Sequence, residues 1–231
     1  MIEMEDDSLD VSAMRINYEQ DGFLETQLAT NPLAQFNTWL RETVDLGLEV
    51  MPEPNAMVLS TVNGVGEVHS RTVLLKGLDN RGFIFFTNYH STKGTDLLEN
   101  NRVSALFPWY PLHRQVIITG AVSRISVDES AEYFASRPYK SQLGAIASEQ
   151  SAPISNREVL ETRFAELQRR YPLGSEIPMP EHWGGFLITV DAVEFWQGQR
   201  SRLHDRLKFQ ALADSRDISD DNAWEIVRLS P

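Results

Sequence analysis

The chain has 231 residues, a length that suits one domain with appendages, and 42% are hydrophobic, enough for a sizeable core. The absence of cysteine excludes disulfides, thiolate metal sites and cysteine nucleophiles, and a net charge of −12 argues against a surface that attracts nucleic acid. No apolar run approaches the roughly 18 residues of a membrane span and "MIEMEDDSLD" has no signal-peptide layout, so a cytoplasmic protein with no membrane partner is expected.

Residues 1–30 read as a polar, flexible segment with room for a short helix near Met14–Tyr18, and residues 31–231 as a single domain. Residues 31–47 carry Leu33, Phe36, Trp39, Leu40 and Val44 at helical spacing, with Asn31 before Pro32 as a start signal. After a Pro-rich connection the period changes. "AMVLSTV", "EVHSRTVLLKGL" and "GFIFFTN" are β-rich segments separated by the turn sequences "NGVG" and "DNRG", which predicts an antiparallel meander. "STKGTDLLENN" reads as a short helix capped by Ser91. "RVSALFPWY" and "RQVIITGAVSRIS" are two further strands. The next helix has Ser126 and Glu129 in capping-box spacing and ends at Pro138. "SQLGAIASEQ" and "NREVLETRFAELQRRY" are helical; "GGFLITVDAVEFWQG", "RLHDRLKFQ" and "AWEIVRLSP" are strands, the last two joined by "ADSRDISDDN", read as a solvated acidic loop. Without sustained βαβ alternation, the expected fold class is β-rich α+β, a closed or nearly closed antiparallel barrel with peripheral helices.

The basic residues are 17 Arg against 4 Lys, and arginine binds carboxylate and phosphate through a planar fork. Several placements invite an anion. In "RTVLLK", Arg71, Val73 and Leu75 share one strand face, while Thr72, Leu74 and Lys76 share the other. "STK" at 91–93 opens a helix after a strand, where free N–H groups suit a phosphate. Tyr133 and Arg137 lie four apart on one helical face, and Ser141 is placed to cap the next helix. Arg200, Arg202, His204 and Arg206 alternate after Trp196; on a strand they line one face, with Leu203 turned to the core. Taken alone, each has an ordinary alternative: strand-end charges in solvent, a cap with a solvated lysine, punctuation around Pro138, or a plain exposed strand. Other chemistries lack their signatures. There is no GxGxxG or GxxxxGK[ST] loop, no GxSxG elbow, and His69, His90, His113, His182 and His204 show no metal spacing. The residues therefore describe a β-rich protein with several oxyanion sites, suited to one or two phosphorylated ligands.

The segments "RTVLLKG", "FFTNYHSTKG", "ENNRVSALFPW", "RQVIITG", "YFASRP", "SQLGAIASEQS", "HWGGF", "VEFWQG", "RLHDR" and "RLSP", in this order from about residue 15 to the end, resemble the pyridoxamine (pyridoxine) 5′-phosphate oxidase family. The resemblance implies an FMN-binding split β-barrel that works as a homodimer with flavin at the interface. It implies oxidation of pyridoxamine or pyridoxine 5′-phosphate to pyridoxal 5′-phosphate, with O2 as acceptor and H2O2 released. It assigns Arg71, Thr72, Val73, Leu74, Leu75, Lys76, Phe86, Thr87, Thr92, Lys93, Gln115, Gln150, Ser151, Trp196 and Arg206 to the cofactor. Lys76, Tyr133, Arg137 and Ser141 fall to the substrate phosphate, Arg202 and His204 to the substrate ring as the catalytic pair, and Arg15 and Tyr18 to an N-terminal lid. Two positions depart from the pattern: Thr92 stands where relatives often carry a phosphate-binding arginine, and Ile16 and Asn17 stand where the lid often carries charge. A split-barrel flavin reductase and a non-catalytic pyridoxal phosphate carrier are the alternatives.

Overall fold

The computed structural model describes residues 11–14, 18, 22–212 and 215–231. Among these residues nine strands form one antiparallel sheet in the order β2-β1-β5-β6-β7-β4-β3, with β8 on β7 and β9 on β8. They are β1 (Ala56–Val62), β2 (Val68–Leu74), β3 (Gly77–Asp79), β4 (Gly82–Asn88), β5 (Arg102–Trp109), β6 (Arg114–Arg124), β7 (Trp183–Gln197), β8 (Asp205–Ala211) and β9 (Trp224–Arg228). Among the described residues five α-helices decorate the sheet: α1 (Pro32–Asp45), α2 (Thr92–Glu99), α3 (Val127–Ser136), α4 (Tyr139–Ala147) and α5 (Arg157–Arg170).

Alternation decides which side of the sheet becomes the core. Along β5, Val103, Ala105, Phe107 and Trp109 are buried while their neighbours are not, the period of a strand with one covered face. Helix α1 starts where Asn31 accepts a hydrogen bond from the Ala34 N–H, and its Phe36 packs 4.9–5.5 Å, ring to ring, from Phe83, Phe107 and Trp109. The 15-residue β7 is the spine: its first part pairs with β4, its second with β8, and β6 runs along both. The register shifts at Thr119/Gly120, where a Cβ on Gly120 would lie 2.1 Å from the Thr189 carbonyl oxygen. The two ends of the main strand order, β2 and β3, are consecutive in the chain. Residues 75–76 therefore bridge the ends of the curled sheet, and the Lys76 N–H donates to the Ile84 carbonyl at 2.9 Å. The seam between β2 and β4 is the split in the barrel.

Several expectations need correction. "EVHSRTVLLKGL" is two strands, broken at Leu75–Lys76 so that the sheet can turn. Val44 is half exposed and adds nothing to the buried face of α1. Ser141 does not cap α4: Pro138 holds the cap position, and Ser141 lies inside the helix with its N–H on the Pro138 carbonyl. The alternating cations do not line one strand face. Arg200–Arg202 form a 3₁₀ turn with Ser201 and Arg202 at φ 56° and 60°, β8 begins only at Asp205, and Leu203 is 71% exposed rather than in the core. The acidic loop is not simply solvated. Ile218 is fully buried, its carbonyl accepts from the Leu33 N–H, and Trp224 Nε1 donates to the Asp217 carbonyl. A 3₁₀ turn spans Val11–Ala13, and the expected short helix near Met14–Tyr18 falls on residues 15–17, which lie outside the described residues. From residue 22 the N-terminal stretch is docked: Phe23 is buried against Trp39, and Arg228 pairs with Glu25 and Asp205.

Candidate active site

A cavity of about 860 Å³ opens at the seam, within the size range of small-molecule sites. Strand β2 contributes Arg71, Thr72, Val73 and Leu74, followed by Lys76; β4 contributes Phe86, Thr87 and Asn88; α2 contributes Thr92 and Lys93. Tyr133 and Arg137 come from the end of α3, Ser141, Gly144 and Ala145 from α4, and Ser148, Gln150 and Ser151 from the turn after it. Fourteen of the residues assigned by resemblance thus converge on one space. Leu75 does not line it: its side chain is in the core.

The lining is cationic and short of acceptors. Lys93 is buried, and among the described residues its Nζ hydrogen-bonds only the Thr87 and Ser91 hydroxyls, at 3.2 and 3.3 Å. Burial, then the nearby Arg71 charge, lowers its pKa to about 8, against the pull of Asp96. Arg137 Nη1 is the single buried side-chain polar atom without a hydrogen-bond partner among the described residues. Its guanidinium lies 4.7 Å above the Trp183 ring, and desolvation lowers its pKa too. An unpaired buried donor is costly, so both groups suit an anionic ligand. Ser151 holds a left-handed conformation (φ 73°) that sets its Oγ to accept from the Thr92 N–H at 3.2 Å. The Gln150 side-chain oxygen accepts from the Thr87 hydroxyl at 3.2 Å. Phe86 and Tyr133 stack at 3.9 Å, and Trp183 lies nearly parallel beyond Phe86 at 5.4 Å, which gives an apolar wall beside the cations.

Lys93 makes the site pH-sensitive. A bound phosphate stabilises the ammonium and raises its pKa, so binding favours the protonated form. Affinity for a phosphate-bearing ligand is therefore expected to be full below pH 8 and to fall by about tenfold per unit above it, until the raised pKa of the complex is reached. In the ligand-free protein the folded pKa lies below the unfolded one. The unfolded chain then binds more protons between pH 8 and 10.5, and stability rises with pH across that window. Titrations of FMN at pH 7, 8 and 9 check the first sign; a flat profile would remove Lys93 from the anion site.

The remaining assigned residues form a second group. Gln115, Trp196 and Arg206 sit side by side across β6, β7 and β8. The Trp196 ring is 4.6 Å from His204 and 6.2 Å from Tyr18, which also packs on His113 at 4.5 Å. His204 Nδ1 accepts from the Gln199 N–H at 3.0 Å, which puts the proton of the neutral ring on Nε2. Burial, then Arg202, pushes its pKa below the ordinary value, which favours the neutral ring. Arg206 is engaged by Glu194 through two contacts, 2.6 and 3.1 Å, and by the Ser230 carbonyl. None of this group lines the cavity of its own chain. Arg15 lies outside the described residues.

Trp183 was not singled out among the sequence candidates. Its signal is the glycine pair in "HWGGF": a Cβ on Gly184 would lie 2.0 Å from the Tyr89 hydroxyl, and one on Gly185 2.9 Å from the Phe86 ring. The pair lets the start of β7 press against β4 and sets Trp183 beneath Arg137.

A curled antiparallel sheet with a cation-lined cavity at its open seam defines a split barrel that binds an anionic ligand. Residues 47–171 match the family described as pyridoxamine 5′-phosphate oxidase, and residues 183–231 match the pyridoxine 5′-phosphate oxidase C-terminal dimerisation region. The chain belongs to the pyridoxine/pyridoxamine 5′-phosphate oxidase family. It is 47% identical to the pyridoxine/pyridoxamine 5′-phosphate oxidase of Streptomyces avermitilis, over 96% of each chain. Among solved structures it resembles PhzG from Burkholderia lata in complex with tetrahydrophenazine-1-carboxylic acid, with TM-score 0.76 and 30% identity over 88% of this chain and 94% of that one. It also shares its fold with a pyridoxamine 5′-phosphate oxidase-related, FMN binding protein from Nostoc punctiforme, with TM-score 0.66 and 14% identity over 86% and 99%.

Proposed function

We propose that the protein is an FMN-dependent oxidase that converts pyridoxine 5′-phosphate and pyridoxamine 5′-phosphate to pyridoxal 5′-phosphate, acting as a homodimer. With the alcohol, O2 is reduced to H2O2; with the amine, water is also consumed and ammonia released. FMN, when bound, would supply the hydride acceptor and the route for electrons to O2. Everything else falls to the chain. Arg71, Lys93 and the Ser151 turn hold the cofactor's phosphate end, and Thr87 and Gln150 offer polar contacts along it. Arg137, with Tyr133, Ser141 and Lys76, pins the substrate phosphate. That placement orients the reacting carbon and removes part of the entropic barrier.

The observation that carries the reading is Arg137 Nη1, a buried donor with no hydrogen-bond partner among the described residues, in a cavity that also holds Lys93. The second group completes the site across the dimer. Trp196, Arg202, His204 and Arg206 all lie in the segment that matches the dimerisation region, and in a two-fold dimer each protomer presents that segment to its partner. Arg202 then covers the substrate ring, and His204 donates from Nε2 rather than acting as an acid at neutral pH.

The test is to supply the purified protein with FMN and pyridoxine 5′-phosphate and to follow pyridoxal phosphate and peroxide together. Equal yields are expected. Tight binding of pyridoxal phosphate with no peroxide would make the protein a carrier. Flavin reduction by an external reductant without pyridoxal phosphate would make it a reductase.

A further inference from the structure

We propose that Thr61 is a positioning residue for the cofactor site: with Asp96 behind it, it sets the Arg71 guanidinium for the phosphate. The inference rests on the FMN reading above. Thr61 is fully buried in β1, two residues after Leu59 on the same strand face. Its hydroxyl donates to Asp96 Oδ2 at 2.6 Å. That bond fixes the hydroxyl proton, so the oxygen is left to accept, and Arg71 Nη1 donates to it at 2.8 Å. The second Nη1 hydrogen goes to the Leu59 carbonyl at 3.1 Å. Both Nη1 hydrogens are thereby used on β1, and the Nε–Nη2 edge remains for a phosphate.

Asp96 makes a long ion pair with Arg71 but no direct hydrogen bond. Its Oδ2 is 3.7 Å from Arg71 Nη2, beyond hydrogen-bond range, while His69 Nδ1 lies at 3.1 Å. The carboxylate comes from the buried face of α2, the helix that also carries Lys93 and begins at the cavity. The relay from Asp96 through Thr61 to Arg71 therefore ties the position of one phosphate-binding cation to the helix that bears the other. A hydroxyl in that place orients Arg71 through Nη1, while the ion pair to Asp96 stays long, at 3.7 Å, and takes no hydrogen bond from the edge left for the ligand.

Thr61→Val keeps shape and net charge and removes only the hydroxyl; Thr61→Ser keeps the hydroxyl. Titration of the flavin-free full-length protein with FMN, read by flavin fluorescence, is expected to show Thr61→Val weakened by about tenfold and Thr61→Ser close to the parent. In an Arg71→Leu background, Thr61→Val should cause no further loss, because the group it positions is gone. A loss that persists in that background, or valine and serine variants that behave alike, would overturn the assignment and leave the FMN reading intact. If the parent protein itself does not bind FMN, the cofactor reading fails and this inference fails with it. Thr61→Ser carries the test should valine prevent folding: a serine variant that folds but binds tenfold more weakly also overturns the proposal.

Discussion

Replacing Arg202 by alanine is expected to lower kcat/KM by on the order of 100-fold, about 2.7 kcal/mol of transition-state stabilisation, with FMN binding intact. Arg202 is exposed in the single chain, so truncating it removes little packing. Its backbone is already in the left-handed region, where alanine is no better placed than arginine, so the loss reports the guanidinium and not the turn. As a clamp over the substrate ring it acts on reacting geometry as well as affinity. Anaerobic rapid mixing isolates flavin reduction, and a wild-type rate at both low and saturating substrate would end the assignment. Subunit mixing tests the composite site. Arg202→Ala and Arg137→Leu should each be nearly inactive alone. If Arg202 serves the partner's cavity, a reassorted equal mixture should recover about a quarter of the native sites, because half the dimers are mixed and each mixed dimer has one intact site. No recovery would mean that both residues belong to one chain's site.

Arg71→Leu and Arg137→Leu should separate the two anion sites. Losing one charge-assisted contact costs about 1.5–3 kcal/mol, roughly 10- to 100-fold in affinity. Arg71→Leu should show this in FMN titrations; Arg137→Leu should retain FMN and show it in the KM for pyridoxine 5′-phosphate. Their stabilities should also differ in sign. Arg71 hydrogen-bonds Leu59 and Thr61 in front of the buried Asp96, so its removal leaves acceptors unpaired and should lower the melting temperature. Arg137 Nη1 has no partner to lose, and leucine would pack against Phe134 and Trp183, so the ligand-free Arg137→Leu protein should melt no lower than the parent. Equal effects of both changes on both ligands would show that the two sites are one.

The strands and helices were largely legible because their signals are local. Alternation marked β1 and β5, Asn31 and Ser126 marked helix starts, and Pro138 marked the end of α3. Fourteen of the cavity residues fall in motifs whose order along the chain is a one-dimensional property. Local signals fail where conformation is set by distant contacts. The alternation of Arg200, Arg202, His204 and Arg206 suggested a strand face, yet the turn that breaks it uses positive φ at Ser201 and Arg202, residues that carry no turn signal. The "ADSRDISDDN" stretch looked solvated by composition, yet Ile218 anchors it, because a single apolar residue leaves no periodic trace.

The sequence by itself determined which residue types are available for the chemistry: arginines in place of lysines, no thiol, no metal cluster spacing, and a fixed order of family motifs. Only the tertiary structure decided how they divide. It brought Arg71, Lys93 and Arg137 to one seam and left Trp196, His204 and Arg206 on strands β7 and β8 and the turn before β8, away from that cavity. It also decided that Arg137 Nη1 has no hydrogen-bond partner among the described residues while Arg71 Nη1 has two. The physical reason is that pairing of a buried polar group depends on which strands and helices pack together, and sheet curvature and closure at residues 75–76 set that packing, which no residue specifies alone.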